Sequence, residues 1–217
     1  MIADARRRAL VLLAVLVAFS AAVAAGWTVA LDQAVAVVVT THRTTLQNSV
    51  AINATALGSE SLVLFFALLV AAYAIASGRP RIVLALTWPV LSLPLDDVLK
   101  PLFHRLRPTE AMTALPSSPG FPSGHALAAS ALYITLALIA AATERRIGPR
   151  RLLIASGVAI ALLVAWSRVY IGVHYVSDVV GGLLLGTAGA IVAARAVRER
   201  PLADGQADGE GLRGSGA

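Results

Sequence analysis

The hydrophobic pattern divides the chain into six apolar runs separated by short polar or proline-rich segments. A helix needs about 20 apolar residues, with a range of roughly 17–25, to cross the hydrocarbon core of a bilayer. These runs predict an all-α fold: a polytopic membrane protein with six transmembrane helices in one bundle. The predicted spans are 9–31, 61–77, 82–100, 125–143, 152–166 and 175–197.

The first run, 9–31, has two interpretations. Three arginines precede it, and it is longer than the usual signal-peptide core of about 7–15 residues, which favours an uncleaved membrane anchor. The small residues at 22–25 resemble a cleavage site, so a cleaved signal peptide stays the alternative. The mixed segment that follows, 32–60, is predicted to be an interfacial loop with room for an amphipathic helix.

The apolar runs continue to residue 197, which predicts one six-span membrane domain over 1–197. Pro89 and Pro94 interrupt the third span, which spanning helices tolerate where neighbours satisfy the freed carbonyl groups. Residues 198–217 are rich in Gly, Asp and Ala. This composition predicts a disordered cytoplasmic tail, because such a segment buries too little apolar surface to fold.

Composition and charge place the chain in lipid and orient it. Charged residues make up 14% of the chain, whereas soluble proteins carry about 25%. The chain lacks cysteine, which excludes disulfides and thiolate metal sites. Cytoplasmic loops of membrane proteins are enriched in Lys and Arg. We therefore predict that both termini are cytoplasmic. Arginines in the cytoplasmic segments then explain the net charge of +6 without a nucleic-acid partner. This orientation puts 13 of the 18 basic residues inside: Arg6, Arg7, Arg8, Arg79, Arg81, Arg145, Arg146, Arg150, Arg151, Arg195, Arg198, Arg200 and Arg213.

Alternating spans bring a set of polar residues together at the outer membrane face. A lone arginine there is usually a snorkelling anchor, and a lone histidine is usually packed or solvated. Charged groups at helix ends that face a bundle are functional candidates, however. Three cations and two histidines beside one helix start describe an anion site. With one carboxylate, the set is Lys100, Arg107, His125, Arg168, His174 and Asp178.

The start of the fourth span has the chemistry of a phosphate cradle. Ser123 is a candidate N-cap. Its hydroxyl and the free N–H groups of Gly124 and His125 would face an anion, and the helix dipole adds attraction. Arg107 and Arg168 have guanidinium groups that grip phosphate oxygens bidentately, and a lysine adds a point charge.

His174 and Asp178 lie four residues apart, so on a helix they would share one face. Asp178 could then hold the Nδ1–H of His174, which leaves the other ring nitrogen unprotonated and nucleophilic. This interpretation requires a neutral His174 and a protonated His125 at the start of the cycle. It therefore predicts a bell-shaped pH profile.

These polar residues form three motifs in chain order: Lys100-x6-Arg107-Pro108, Pro122-Ser123-Gly124-His125, and Ser167-Arg168-x5-His174-x3-Asp178. Together they resemble the three-part signature of the type 2 phosphatidic acid phosphatase superfamily, which includes lipid phosphate phosphatases and vanadium haloperoxidases. The signature covers 100–178, and the six-span layout is similar to that family over 1–197. No signature position departs from the pattern.

The resemblance implies a role for each matching residue. His174 would be the nucleophile that forms a phosphohistidine, Asp178 would orient it, and His125 would protonate the leaving alkoxide. Water would then cleave the phosphoenzyme. The resemblance implies no metal ion and no other cofactor, because cations of the chain neutralise the phosphate. The phosphate-binding residues would be Lys100, Arg107, Ser123, Gly124 and Arg168.

The implied function is a membrane phosphatase that acts on phosphatidic acid, phosphatidylglycerol phosphate or polyprenyl diphosphate. Its partners would be this lipid phosphate substrate and membrane lipids, and the sequence selects no oligomeric state. We expect it in the bacterial cytoplasmic membrane with an extracytoplasmic active site. A lipid-linked phosphotransferase is the alternative. A vanadium haloperoxidase is disfavoured, because those enzymes resemble soluble proteins and this chain is mostly membrane spans. A non-catalytic relative is disfavoured by the intact His125, His174 and Asp178.

Residues outside the signature have weaker expectations. Asp96 and Asp97 lie four and three positions before Lys100, so either could pair with it. Arg105 either helps to bind phosphate or lies at the surface. The G-x-x-x-G step at 182–186 usually indicates close helix packing. Here we expect it to contact another helix of the same bundle rather than a second subunit.

Overall fold

The computed structural model describes residues 2–198, and this part of the chain is all-α, without a strand. A π-helical turn at Ser130–Ile134 joins two of its helices into one continuous segment, Gly124–Thr143, called here the central helix. The predicted tail falls almost entirely outside the described residues. The helices are α1 (Ile2–Ala24), α2 (Val29–Thr41), α3 (Thr45–Ala56), α4 (Glu60–Ala76), α5 (Pro80–Phe103), α6 (Gly124–Ala129), α7 (Thr135–Thr143), α8 (Ile147–Tyr170), α9 (Val176–Ala193) and α10 (Arg195–Arg198).

Four of the described helical segments are long and apolar enough to cross a membrane: α5, the central helix, α8 and α9. Two further pairs qualify only if each bent pair counts as one span. These are Leu10–Ala24 with α2, bent by 82°, and α3 with α4, bent by 51°. The prediction of an all-α polytopic membrane protein is confirmed, with four to six candidate spans in place of the six predicted.

The first predicted span, 9–31, is wrong as a single helix. Helix α1 ends at Ala24, and Gly26 has φ +78°, a conformation that glycine adopts at little cost. Helix α2 then leaves at 82°. The segment 32–60, predicted to be a loop with room for an amphipathic helix, contains most of α2 and all of α3. The prediction is therefore wrong in making this segment mainly loop. Apolar residues continue on both sides of the turn, so the pattern gave no sign of the change in direction.

Helix α5 carries the chain into the site. It continues through three internal prolines to Phe103, slightly beyond the predicted end at residue 100. His104 then adopts a left-handed conformation, with φ +48°, and ends the helix. Arg105 and Arg107 therefore leave α5 on an irregular segment, which lets their side chains reach elements that a continued helix would not meet.

The central helix is the most buried of the four single-helix spans, with 67% of its membrane window inside the protein. Helix α9 packs closely against it through glycine. A Cβ on Gly182 would lie 2.5 Å from the carbonyl oxygen of Ser123, and one on Gly186 would lie 2.5 Å from that of Leu127. The predicted packing of the G-x-x-x-G step within the bundle is confirmed. This contact sets the start of α9 beside the start of the central helix, where Ser123 N donates to Asp178 O at 3.0 Å.

Candidate active site

A cavity of about 140 Å³ lies at the N-terminal end of the central helix. Its walls come from the ends of α5 and α8, the start of the central helix, and the loops after α5 and before α9. Ser123 and Asp178, which the sequence also predicted for the site, are fully buried beside this wall. The structure thus brings all eight predicted residues to one place. Those that line the cavity are Lys100, Arg107, Gly124, His125, Arg168 and His174.

Lys100 holds two carboxylates at the edge of the cavity. Its Nζ lies 2.5 Å from Asp96 Oδ2 and 3.2 Å from Asp97 Oδ1, so both of the pairings considered from sequence are present. Asp97 is largely exposed, whereas Asp96 is buried. The Asp96 carboxylate approaches Gly124 so closely that a Cβ there would overlap with it. The cavity wall therefore carries three carboxylates, Glu60, Asp96 and Asp97, beside the cations Lys100, Arg107 and Arg168.

The guanidinium of Arg107 fixes two loops around the cavity. Its Nη1 lies 3.1 Å from Nε2 of His174. Its remaining bonds go to backbone carbonyls, with one weaker contact to the hydroxyl of Ser118 at 3.3 Å. Arg107 therefore joins the loop after α5 to the loop before α9. The carbonyl acceptors are those of Ser118 at 2.9 Å, Val173 at 2.9 Å and Pro119 at 3.1 Å.

His174 has a defined proton arrangement in this geometry. Because a guanidinium can only donate, the Nε2 that faces Arg107 must accept and is unprotonated. The proton of the neutral ring then lies on Nδ1, which is 3.4 Å from Asp178 Oδ2. At this distance the two groups interact electrostatically but form no hydrogen bond. The arrangement leaves Nε2 with the free electron pair.

The contact between His174 and Asp178 arises differently from the predicted shared helix face. His174 lies before α9, and Asp178 lies in the first turn of α9. The chain turns back at Tyr175, whose backbone N donates to Asp178 Oδ2 at 2.9 Å. Asp178 therefore both caps the helix and faces His174, as a carboxylate near a helix N-terminus does favourably.

Burial lowers the pKa of His174 to about 4. The Asp178 carboxylate acts in the opposite direction, while the positive charges of Arg107 and Arg168 add to the lowering. His174 is therefore neutral at physiological pH, as a nitrogen nucleophile must be.

Two buried donors at this helix start have no partner among residues 2–198. The Ser123 hydroxyl is fully buried without a hydrogen bond, so it occupies the N-cap position without capping the helix. Arg168 Nε is also unpaired, although its Nη1 donates to Thr55 Oγ1 at 2.8 Å. Buried polar groups are nearly always paired, and a helix start leaves further N–H groups without helical partners. The cavity therefore suits an anion with several acceptor oxygens.

Arg105 is not the surface residue that one alternative predicted, and it does not line the 140 Å³ cavity. Its side chain is only 13% exposed, and its Nη2 lies 2.5 Å from Asp32 Oδ2. Its Nη1 donates to Ser177 Oγ at 2.6 Å and lies 3.3 Å from Asp178 Oδ1. Asp32 is the residue that sequence reasoning missed. A single carboxylate within an apolar stretch was the available signal, because a buried charge requires a partner.

A second, larger cavity of about 470 Å³ lies between α2 and the loop after α5 and also reaches His174. Its charged wall residues are the acidic Asp32 and Glu110. The smaller cavity also contains carboxylates, but it adds three cations that the larger one lacks, so it is the better candidate for an anion. No group of three or more His, Asp or Glu side chains in the described part of the chain is arranged to hold a metal ion.

Comparison with known proteins identifies relatives of this arrangement. A model of the PAP2 superfamily matches residues 81–201, more than half of the chain. The chain is 43% identical to phosphatidylglycerophosphatase B of Bacillus subtilis over 94 residues, which is 42% of this chain and 46% of the relative. It is 36% identical to an undecaprenyl-diphosphatase of Sulfolobus acidocaldarius over 104 residues, 45% of this chain and 46% of the relative. The match thus spans about half the length of these curated relatives.

Two crystal structures share the fold. One is a transmembrane PAP2 type phosphatidylglycerolphosphate phosphatase from Bacillus subtilis, with a TM-score of 0.78 and 28% identity. The superposition covers 85% of this chain and 93% of that one. The other is LpxE of Aquifex aeolicus, with a TM-score of 0.59 and 24% identity over 76% of this chain and 95% of that one, which shows the fold alone.

Proposed function

This chain belongs to the PAP2 superfamily, and we propose that it is an integral membrane phosphatase that hydrolyses a lipid phosphate or diphosphate. The observation that carries the proposal is the pair of buried, unpaired donors at the cavity, Ser123 Oγ at the start of the central helix and Arg168 Nε in the last turn of α8. Phosphate offers several acceptor oxygens to such donors. The candidate substrates are phosphatidic acid, phosphatidylglycerol phosphate and polyprenyl diphosphate, and two relatives are named for substrates of this class.

His174 is the proposed nucleophile. Its Nε2 carries the free electron pair, while Nδ1 faces Asp178. Attack of Nε2 on the terminal phosphorus would form a phosphohistidine and break the bond from that phosphorus to the lipid oxygen of a monophosphate or to the bridging oxygen of a diphosphate. Asp178 would stabilise the positive charge that develops on the ring. Arg107, which donates to Nε2 in this structure, would transfer that hydrogen bond to a phosphate oxygen.

His125 is the proposed general acid. It lines the same cavity as His174, at the second position of the central helix. In its protonated form it would give a proton to the departing alkoxide, and the neutral ring would then take a proton from the water that cleaves the phosphoenzyme. Atoms balance over the cycle: one water enters and inorganic phosphate leaves, together with a lipid alcohol from a monophosphate or a lipid monophosphate from a diphosphate.

The proposed phosphate ligands are Lys100, Arg107, Ser123, Gly124 and Arg168. Three of them are cations, which would offset the charge on the equatorial oxygens during transfer. This charge supports the proposal that no metal ion takes part. Asp96 holds Lys100 beside the helix start until a phosphate competes for the ammonium.

We propose that the site opens to the extracytoplasmic face of a bacterial cytoplasmic membrane and that both termini are cytoplasmic. The support is the arginine distribution along the sequence, in which 13 of the 18 basic residues fall in segments predicted to be cytoplasmic. A site at the membrane face suits a substrate whose acyl or prenyl chains stay in the bilayer.

The test is phosphate release by detergent-purified protein from a panel of lipid monophosphates and diphosphates, with EDTA present. We expect release by wild type and a loss of more than about 1000-fold in His174→Ala. His42→Ala is the matched control, because that histidine is exposed at the end of α2 and bonds only to its own helix. Phosphate release that is lost when EDTA is added would contradict the metal-independent mechanism.

Failure of well-folded wild type to release phosphate from any lipid would overturn the hydrolase proposal. The alternative, a lipid-linked phosphotransferase, would then be tested by adding alcohol or lipid acceptors. The same phosphohistidine would serve that reaction, and product would form only when an acceptor is present.

A further inference from the structure

A row of alternating charges leads from α2 to the proposed nucleophile. Asp32 Oδ2 lies 2.5 Å from Arg105 Nη2, and Arg105 Nη1 lies 3.3 Å from Asp178 Oδ1. Asp178 Oδ2 lies 3.4 Å from His174 Nδ1. The four side chains come from α2, the segment after α5, the first turn of α9 and the loop before it. The family match begins at residue 81, so Asp32 comes from outside the matched segment.

This row is buried and held at its far end. Asp32 is 2% exposed and Asp178 is fully buried. Besides Arg105, Asp32 accepts hydrogen bonds from the backbone N of Ser177 at 3.0 Å and from its hydroxyl at 2.7 Å. The guanidinium of Arg105 also lies over the ring of Tyr175, 5.3 Å from its centre. These contacts fix Arg105 against the first turn of α9, where Asp178 lies.

We propose that Asp32 and Arg105 are positioning residues for the proposed phosphatase reaction, and that they set the orientation and the effective charge of Asp178 as it acts on His174. The inference rests on the proposed function only in that His174 is the nucleophile. Neither residue lines the 140 Å³ cavity proposed for the phosphate, and both terminal nitrogens of Arg105 have protein partners.

Electrostatics gives the two residues opposite effects on His174. Arg105 offsets part of the negative charge of Asp178, so its loss lets Asp178 attract a proton to His174 more strongly. Asp32 offsets part of the positive charge of Arg105, so its loss has the reverse effect. Other groups facing His174 are Arg107, Arg168 and His125, and these stay unchanged in the comparison.

If these residues only held α2 against α9, the same contacts would be present. The two variants would then not shift the proton affinity of His174 in opposite directions. We would therefore compare Arg105→Gln with Asp32→Asn, two replacements that remove a charge and keep a polar side chain. The measurement is kcat/KM for the best lipid substrate as a function of pH. We expect the acid limb to move up by about half a pH unit or more in Arg105→Gln and down in Asp32→Asn, with kcat reduced about tenfold or more in both.

Two further variants separate charge from packing. The double variant Asp32→Asn/Arg105→Gln removes one charge of each sign, so its acid limb should return towards that of wild type while its rate stays low. Arg105→Lys keeps the charge and loses the fork geometry, so it should keep the wild-type limb. Arg43→Gln is the matched control, because its recorded partners are the backbone carbonyls of Tyr170 and Glu110. It should lower thermal stability at most and leave the limb in place.

A direct readout keeps this inference separate from the proposed activity. Nitrogen NMR of histidine-labelled protein, with the His174 signal assigned through His174→Gln, reports the titration of that ring whether or not a lipid is hydrolysed. Opposite shifts in Asp32→Asn and Arg105→Gln support the positioning role even if no substrate is found. Shifts of the same sign, or none, overturn it, and lipid hydrolysis by wild type would still support the proposed function.

Discussion

Two buried polar regions meet at Asp178 and are built from the same chemical groups, arginine, serine and carboxylate. In the cluster formed by Asp32, Arg105 and Ser177, each side chain has partners in the protein. In the cavity at the central helix, Ser123 Oγ and Arg168 Nε have none within residues 2–198. Paired buried groups hold a structure together, whereas unpaired ones retain capacity for a ligand. The comparison predicts that removing groups from the cavity costs activity, while removing groups from the cluster costs stability as well.

The largest expected effect is on the cavity side. Arg168→Gln removes the guanidinium whose Nε is unpaired, and we expect a loss of about 100- to 1000-fold in kcat/KM. The fall in thermal stability should be limited to the loss of the single bond from Nη1 to Thr55. Steady-state kinetics and thermal unfolding in the same detergent measure the two quantities. Arg150→Gln, at the exposed start of the same helix, is the control. A large fall in unfolding temperature in Arg168→Gln would contradict the ligand-binding interpretation.

Ser177→Ala tests the cluster. The Ser177 hydroxyl donates to Asp32 and accepts from Arg105, so its removal leaves two buried charges with fewer partners. We expect a loss of about 1–3 kcal/mol in the free energy of unfolding. Chemical or thermal unfolding in detergent measures it, and an unchanged stability would show that the cluster is less tightly coupled than its distances indicate.

Ser123→Ala is the counterpart in the cavity and has a smaller effect. The hydroxyl bonds to nothing among the described residues, so its removal leaves no partner unpaired and should not lower stability. Loss of one hydrogen bond to the transferring phosphate should lower kcat/KM about tenfold. Comparison of Ser123→Ala with Ser177→Ala is the sharpest test of the distinction between the regions. Equal losses of stability in Ser123→Ala and Ser177→Ala would contradict the distinction between the cavity and the cluster.

The pH profile provides the last test. Burial lowers the pKa of His174 to about 4, so its nucleophilic form is present above that pH and is lost as pH falls through it. The acid limb of kcat/KM, which reports the free enzyme, should therefore lie near pH 4. The predicted bell-shaped profile stays a prediction, with this limb as its lower side. A limb near the ordinary histidine value of about 6.5 would mean that Asp178 outweighs burial.

Much of the bundle could be predicted from the apolar pattern, because a helix in lipid satisfies its own backbone groups whatever its neighbours are. The prediction that α5 continues through Pro89 and Pro94 is confirmed. The close packing of Gly182 and Gly186 was predicted from their spacing and is also confirmed. The failures lie where the chain turns. The break after Ala24 depends on Gly26, and one glycine in an apolar run carries little information about direction.

The candidate site residues could be predicted from sequence, since alternating spans bring helix ends to one face and the motifs match a known signature. The contacts that those residues make could not be predicted. Arg105 and Arg107 lie two positions apart, yet one pairs with Asp32 and the other donates to His174. The turn at His104 separates their directions, and nothing in the local residue types distinguishes two arginines of the same loop.

The sequence by itself determined that this protein lies in the membrane, that its polar residues gather at one face, and that their chemistry suits phosphate. These properties depend on residue type and on spacing within helices. Only the tertiary structure decided which donors keep a partner and which stay unpaired, and that α2 supplies Asp32 to residues 145 positions later in the chain. Such pairings depend on how distant segments pack, because a buried charge is stable only where another part of the fold brings its counter-charge.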